Sequence, residues 1–393
     1  MTDNLTNNTV NDRNNISTLN RVGQTTTKIA MAVIPDPFII AILLLLITLI
    51  AGGVMYERSV LSLITSLKTG MLNTKLIAFA FQMALILVTG HALAAAPSVH
   101  NILAKIASIP KSSKTAVVMV SMVAMSLAWL NWGLGLVGGA ILAREIGRSF
   151  AQRKQPLNYP IIAAAGYTGL VIWHGGLSGS APLKVASGGV FVSIVPVSET
   201  IFSPLNIVVT IALLIAIPLL LKHLTDENSD LQYQQLLNYP PLRDHSQPHY
   251  KRQEQERATE EEDGDSSRFI RFLEQSSFTI YALALPLLIA ISIDFYTLGF
   301  KALNLNSIIV IFLTLGLIIH KKPMSYARAF SDGTSSAAGI LLQFPIYFAI
   351  LIVAKESGLL VSITDFFNQI VYGLSSYISP SITAPITTLL SSG

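Results

Sequence analysis

The sequence predicts an all-α polytopic membrane protein made of an inverted repeat, with a re-entrant hairpin, a broken transmembrane helix and an incomplete second repeat. Three observations predict it. First, 51% of the 393 residues are hydrophobic, only 12% are charged, and several apolar runs approach the bilayer-crossing length, about 20 residues for a helix. Second, one apolar run is interrupted by Trp173 to Pro182, W-H-G-G-L-S-G-S-A-P, whose three glycines and proline will not hold a continuous helix. Bare backbone cannot face lipid, so this break must lie inside protein or line a wet cavity. Third, the two halves of the chain overlay at an offset of about 260 residues, as in transporters built from repeats.

Taken in order, residues 1–28 are polar, rich in Asn and Thr, and lack a signal-peptide core. They read as an uncleaved cytoplasmic tail. The first membrane repeat is expected over 29–222. Pro35-Asp36-Pro37 opens its first span, since proline suits a helix start. A loop with Arg58, Lys68 and Lys75 leads to a second span, Leu76 to Ala94, and then to an amphipathic connector from Ala95 to Lys114.

The run from Ala116 to Ala143 is interrupted at Asn131-Trp132-Gly133-Leu134-Gly135. Lys111 and Lys114 precede it; Arg144, Arg148, Arg153 and Lys154 follow it. A re-entrant hairpin keeps both clusters in the cytoplasm, as the positive-inside rule prefers. Gly133, Gly135, Gly138 and Gly139 allow its arms to approach closely. Pro160 to Trp173 and Leu183 to Val197 are the two parts of the broken span, and Leu205 to Leu221 returns.

A polar cytoplasmic loop, 223–275, follows, with the acidic run Glu260-Glu261-Glu262-Asp263. The second repeat, 276–393, supplies spans at Phe278 to Ile293, Asn306 to His320 and Ser336 to Ala354. Next come an amphipathic stretch from Gly358 to Tyr377 and an apolar run from Ser379. In the overlay Leu76 to Leu87 falls on Ala337 to Phe348, and Gln82 on Gln343. The first span runs outward and its counterpart inward, so the halves are inverted. The second ends where its hairpin would turn.

The motifs T-G-H-A-L (Thr89 to Leu93), N-W-G-L-G-L (Asn131 to Leu136), A-R-E (Ala143 to Glu145), G-G-L-S-G-S-A-P-L (Gly175 to Leu183) and L-L-Q-F-P-I-Y (Leu341 to Tyr347) together resemble the bacterial short-chain fatty acid transporter family. The resemblance runs from about Ile29 to the C-terminus. It implies secondary uptake of small monocarboxylates, such as acetoacetate or butyrate, across the inner membrane of a bacterium. Family members continue with a second glycine-rich hairpin and further spans, so the chain is expected to be a C-terminally truncated member.

A short-chain carboxylate needs donors for two oxygens and a small apolar pocket. The helix restart after Gly179 offers free N–H groups, with Ser178 and Ser180 as hydroxyl donors and Gly176 opening the backbone. Asn131 could bond substrate, coordinate an ion or cap a half-helix, with Gly133 beside it. Trp132 and Trp173 could wall the acyl tail or anchor at the interface. Lys184, a cation inside a span, would attract the carboxylate or snorkel to water. His91 and His174 are candidates for proton coupling, and the coupling ion is a proton or sodium. Glu145 reads as a helix-end ion pair.

With no cysteine, disulfides, thiolate metal sites and cysteine nucleophiles are excluded. No metal or organic cofactor is indicated. The net charge of +4 sits in short loops and is not a nucleic-acid signal. The lipid bilayer is an expected partner, and homo-oligomerisation is left open. Three other readings compete: a passive channel, a non-functional fragment, and an intramembrane serine protease. The last would use Gly176-Leu177-Ser178-Gly179 as a G-x-S-G motif, with His91 or His320 as base.

Overall fold

A computed structural model describes residues 25–26, 29, 32–186, 195–225 and 268–375. Most of the expected tail and polar loop, and the apolar run from Ser379, lie outside these residues. Every regular element described is helical. Among the described residues, seven stretches are long and apolar enough to cross a membrane.

The first span is α1, Pro37–Val54, where Asp36 caps the Phe38 amide and Pro37 takes the first helical position. The stretch expected as a loop forms α2, Val60–Met71, capped by Ser59. It is too short to span, and its Ser and Thr dilute the apolar signal. The second span is α3, Thr74–Ala94, and the connector is α4, Pro97–Ala107.

Next come α5, Ser113–Leu130, and α6, Trp132–Gln152, joined by the single non-helical residue Asn131. The two pack along each other as the expected hairpin. The broken span then follows: α7, Tyr159–Gly166, α8, Gly169–Ile172, a 3-10 turn at Trp173–Gly175, and α9, Ser180–Ala186. Residues 187–194, the expected completion of the crossing, lie outside the described set. The closing span is α10, Pro204–Leu224.

After the loop, residues expected as its end form a helix, α11, Arg268–Gln275. The stretch expected as the second repeat contains α12, Ser277–Leu298, α13, Leu305–His320, α14, Pro323–Ser336, α15, Ala338–Ser357, and α16, Leu359–Ser375. Like α2, α14 was not legible as a helix: Ser331, Asp332, Thr334, Ser335 and Ser336 interrupt its apolar face.

The packing follows an exchange between halves. Helix α3 packs on α13 and α14 of the second repeat, while α15 packs on α1 and α2 of the first; α3 and α15 also touch each other. The pairing holds at residue level. A Cβ on Gly70 of α2 would strike the Ala349 backbone of α15, and one on Gly333 of α14 would meet Val88 and His91 of α3. The pair Gln82 and Gln343 does not share a role: Gln82 donates to Asn306 at 2.6 Å, whereas Gln343 accepts from Tyr347 at 3.1 Å.

Burial ranks the helices. In α3, 61% of the spanning window is buried, against 17% in α1 and 11% in both α10 and α12. Helix α3 is therefore central, and the other three present apolar faces such as Leu43, Ile47, Val208 and Ile289 outward. Such a surface suits lipid rather than water.

Candidate functional site

The hairpin turn and the broken span meet. Asn131 is fully buried and does two jobs: its Oδ1 accepts from the Leu134 amide at 3.0 Å, and its Nδ2 donates to the Ile86 carbonyl of α3 at 3.2 Å. The first bond is the N-cap that lets α6 begin; the second fastens the turn to the central helix. Gly90 of α3 lies so close that a Cβ there would fall 2.1 Å from Asn131 Oδ1.

The break docks on the same turn. The Leu177 amide donates to the Trp129 carbonyl at 2.7 Å, and the Trp132 amide donates to Ser178 Oγ at 2.8 Å. Gly176 is extended, and a Cβ there would be 2.2 Å from the Trp129 carbonyl oxygen. Gly133 and Gly179 make similar close approaches, to the Leu87 and His174 carbonyl oxygens respectively. A third element joins here: Asn206 near the start of α10 donates to the Gly175 and Ile201 carbonyls at 2.9 and 2.7 Å.

Much of the backbone at the break is thus satisfied inside the protein. The amides of Gly176, Leu177 and Gly179 bond to the Trp173, Trp129 and Gly176 carbonyls; in the restart after Gly179, where free amides were expected, the Leu183 amide bonds to the Gly179 carbonyl at 3.3 Å. Ser178 is fully buried, and its hydroxyl accepts from a backbone amide. That bond ties hairpin to break.

The remaining expected residues line the junction. Trp132 and Trp173 are half-buried, with ring centroids 5.6 Å apart. Trp132 also packs among Leu87 and Val88 of α3 and Phe330, Ala337 and Ile340 of the second repeat. Its indole Nε1 is buried with no acceptor among the described residues. His174 is exposed and its ring lies on Trp173, with centroids 3.7 Å apart. Ser180 is half-buried at the start of α9. The Lys184 side chain lies outside the described set.

His91 stands one residue beyond Gly90, on the face of α3 that meets Gly333. Glu145 pairs with Arg148, Oε1 to Nη1 at 2.9 Å, inside α6 rather than at the helix end that was expected, because α6 continues to Gln152; it is also approached by His100 of α4 at 3.6 Å.

Reading the sequence did not single out Ile86, Trp129, Asn206 or Ala337. Three of them contribute backbone carbonyls or packing, which leave no residue-type signal. Asn206 did leave one: it sits at the third helical position after the Ser203 cap and Pro204, where a polar side chain in an apolar span needs a partner.

The family model described as short chain fatty acid transporter matches residues 18–393. A Haemophilus influenzae protein, provisionally named as a short-chain fatty acid transporter, is 34% identical over 363 residues, covering 90% of this chain and 76% of the relative. An Escherichia coli protein with the same provisional name is 34% identical over 356 residues, with the same two shares covered. No solved structure matches the chain. With the family model spanning nearly the whole sequence and these relatives covering nine-tenths of it, the chain belongs to the short-chain fatty acid transporter family.

Proposed function

We propose that the chain performs secondary transport of short-chain fatty acids, small monocarboxylates such as butyrate or acetoacetate, across the cytoplasmic membrane of a bacterium. Its N-terminus is cytoplasmic, and it is a carrier rather than an enzyme. The observation that carries this reading is the convergence of a helical hairpin turn and a broken helix on α3, in one apolar cluster with helices of the chain's second half. Transporters place substrate at such repeat interfaces, where helices are discontinuous.

In this reading the residues divide into two groups. Asn131, Gly133, Gly176, Ser178 and Gly179 build the junction through their bonds and close approaches. Trp132, Trp173, Ser180 and Lys184 meet the substrate. The indole N–H of Trp132 and the Ser180 hydroxyl donate to the carboxylate, Lys184 supplies positive charge, and the two indole faces hold the short acyl tail. A coupling ion, proton or sodium, drives accumulation, with His91 and His174 as the titratable candidates.

Purified full-length chain in vesicles tests this. Labelled butyrate should exchange across the membrane faster than in protein-free vesicles, and unlabelled acetoacetate should compete. Changing both Gly176 and Gly179 to Leu should remove that flux. Butyrate flux equal to protein-free vesicles, or undiminished in the double variant, would overturn the reading.

A further inference from the structure

Of the buried side-chain atoms without a hydrogen-bond partner among the described residues, three belong to the packed pair α3 and α14: His91 Nδ1, Tyr326 Oη and Arg328 Nε. A buried polar atom without a partner costs free energy, so three on one helix pair call for an explanation. The neighbouring groups are also polar. His320, at the end of α13, bonds through Nε2 to the Ala92 carbonyl at 2.7 Å and through Nδ1 to Ser325 at 3.0 Å. Its ring stands edge-on to Tyr326, with centroids 5.6 Å apart. The first and second repeats are therefore bonded to each other one residue away from His91.

His91 itself is pressed against α14. A Cβ on Gly333 would be 3.1 Å from the His91 Cβ, so only glycine leaves this approach unstrained. Asp332, exposed and adjacent to Gly333 in sequence, is the carboxylate that α14 carries beside this contact. On the opposite side, Gly90 abuts Asn131 of the hairpin turn. His91 thus lies between the proposed anion site and a solvent-exposed acid.

We propose that this junction of α3, α13 and α14 is the chain's proton-binding site, with His91 taking and releasing the coupled proton, Asp332 as its counter-charge, and His320 fastening the repeats beside it. The inference rests on the transport reading above and selects the proton as the coupling ion. With the imidazole hydrogen on Nε2, Nδ1 carries the lone pair. A hydronium ion gives up one proton, an N–H bond forms at Nδ1, and the ring becomes an imidazolium; release reverses the step. The imidazolium and the substrate carboxylate carry opposite charges, so binding of each favours the other across the hairpin turn.

The other ionisable groups around His91 fit this assignment. Tyr326, Arg328 and Asp332 stand on α14 and His320 on α13. Helix α6 carries Arg144, Glu145 and Arg148, and α15 carries Tyr347, Lys355 and Glu356, all beyond the segments that adjoin Gly90 and Trp132. His100 of α4 is engaged with Glu145.

The test uses full-length protein in vesicles, with flux through protein-free vesicles subtracted, because the neutral acid crosses lipid unaided. Two fluxes are compared: uptake of labelled butyrate driven by an inward proton gradient, and exchange of labelled for unlabelled butyrate at equal pH. In His91→Gln the ratio of driven to exchange flux should fall by about tenfold, since the imidazole that takes and releases the proton is gone. In Asp332→Asn, at an exposed position where folding is not at risk, the driven flux should need a more acidic medium to reach half its maximum. Wild-type responses in both variants, or driving of the native chain by sodium and not by protons, would overturn the proposal with the transport reading intact. Absence of exchange in the native chain would instead remove the transport reading and this proposal together.

Discussion

At the scale of single residues, the junction is held by groups that each serve two partners. Asn131 is the clearest, because its cap bond and its bond to Ile86 use opposite ends of one amide. The substitutions at this site should therefore fall in a definite order. Asn131→Ser keeps a cap acceptor and loses only the Ile86 bond. Asn131→Ala loses both, at about 2 kcal/mol in total. Asn131→Asp keeps the cap but turns a buried carboxylate oxygen towards the Ile86 carbonyl, and should be worst. Apparent melting temperatures of detergent-solubilised protein should fall in the order Ser, Ala, Asp. An Asp variant as stable as the Ser variant would mean that a buried carboxylate oxygen facing the Ile86 carbonyl carries no penalty. Sequence alone left Asn131 between capping and ligand contact, since one amide in an apolar run suits both roles. What sequence could not supply was its second partner, a backbone carbonyl 45 residues away.

At the scale of elements, small residues decide which helices touch. Along the hairpin, a Cβ on Gly135 would fall 2.3 Å from the Ala128 Cβ. One on Gly139 would fall 2.3 Å from the Gly166 carbonyl oxygen of α7, and one on Gly166 would fall 2.9 Å from that of Gly139. Dispersion and close backbone approach drive helix association in lipid, so these contacts matter more here than in a water-soluble core. Gly139→Ala should cost about 1–3 kcal/mol through overpacking. Gly339 in α15 is the matched control, with nothing within 4 Å of its would-be Cβ. Gly339→Ala should be neutral or gain up to about 1 kcal/mol from helix propensity. Thermal denaturation of the two variants side by side tests the contrast, and equal losses would refute it. The cluster Gly133, Gly135, Gly138 and Gly139 was legible as a close-packing signal, and the flanking lysines and arginines as a hairpin signal. Helices α2 and α14 were not, because period and apolarity are poor guides to short helices that bury one stripe against a partner distant in sequence.

At the scale of the whole molecule, the exchange of α3 onto α13 and α14, and of α15 onto α1 and α2, is what an inverted repeat requires. Gln82 and Gln343, matched in the sequence overlay, have unlike partners. In spans dominated by Leu, Ile and Ala, one offset scores much like the next, whereas the contacts of Gly70 and Gly333 define the relation through close backbone approach. If the halves are inverted across a bilayer, α4 and α16 are equivalent elements on opposite faces. The chain has no cysteine, so single cysteines can report this without background. Ser108 follows α4 and Ser362 lies in α16, and both are exposed. With the basic clusters around the hairpin held in the cytoplasm, Ser108→Cys should react with a membrane-impermeant maleimide only after permeabilisation. Ser362→Cys should react in intact cells. Labelling of both from one side would leave the helix contacts as they are but end their reading as an inverted repeat. Alternating access by rocking one repeat against the other would then lose its structural basis in this chain.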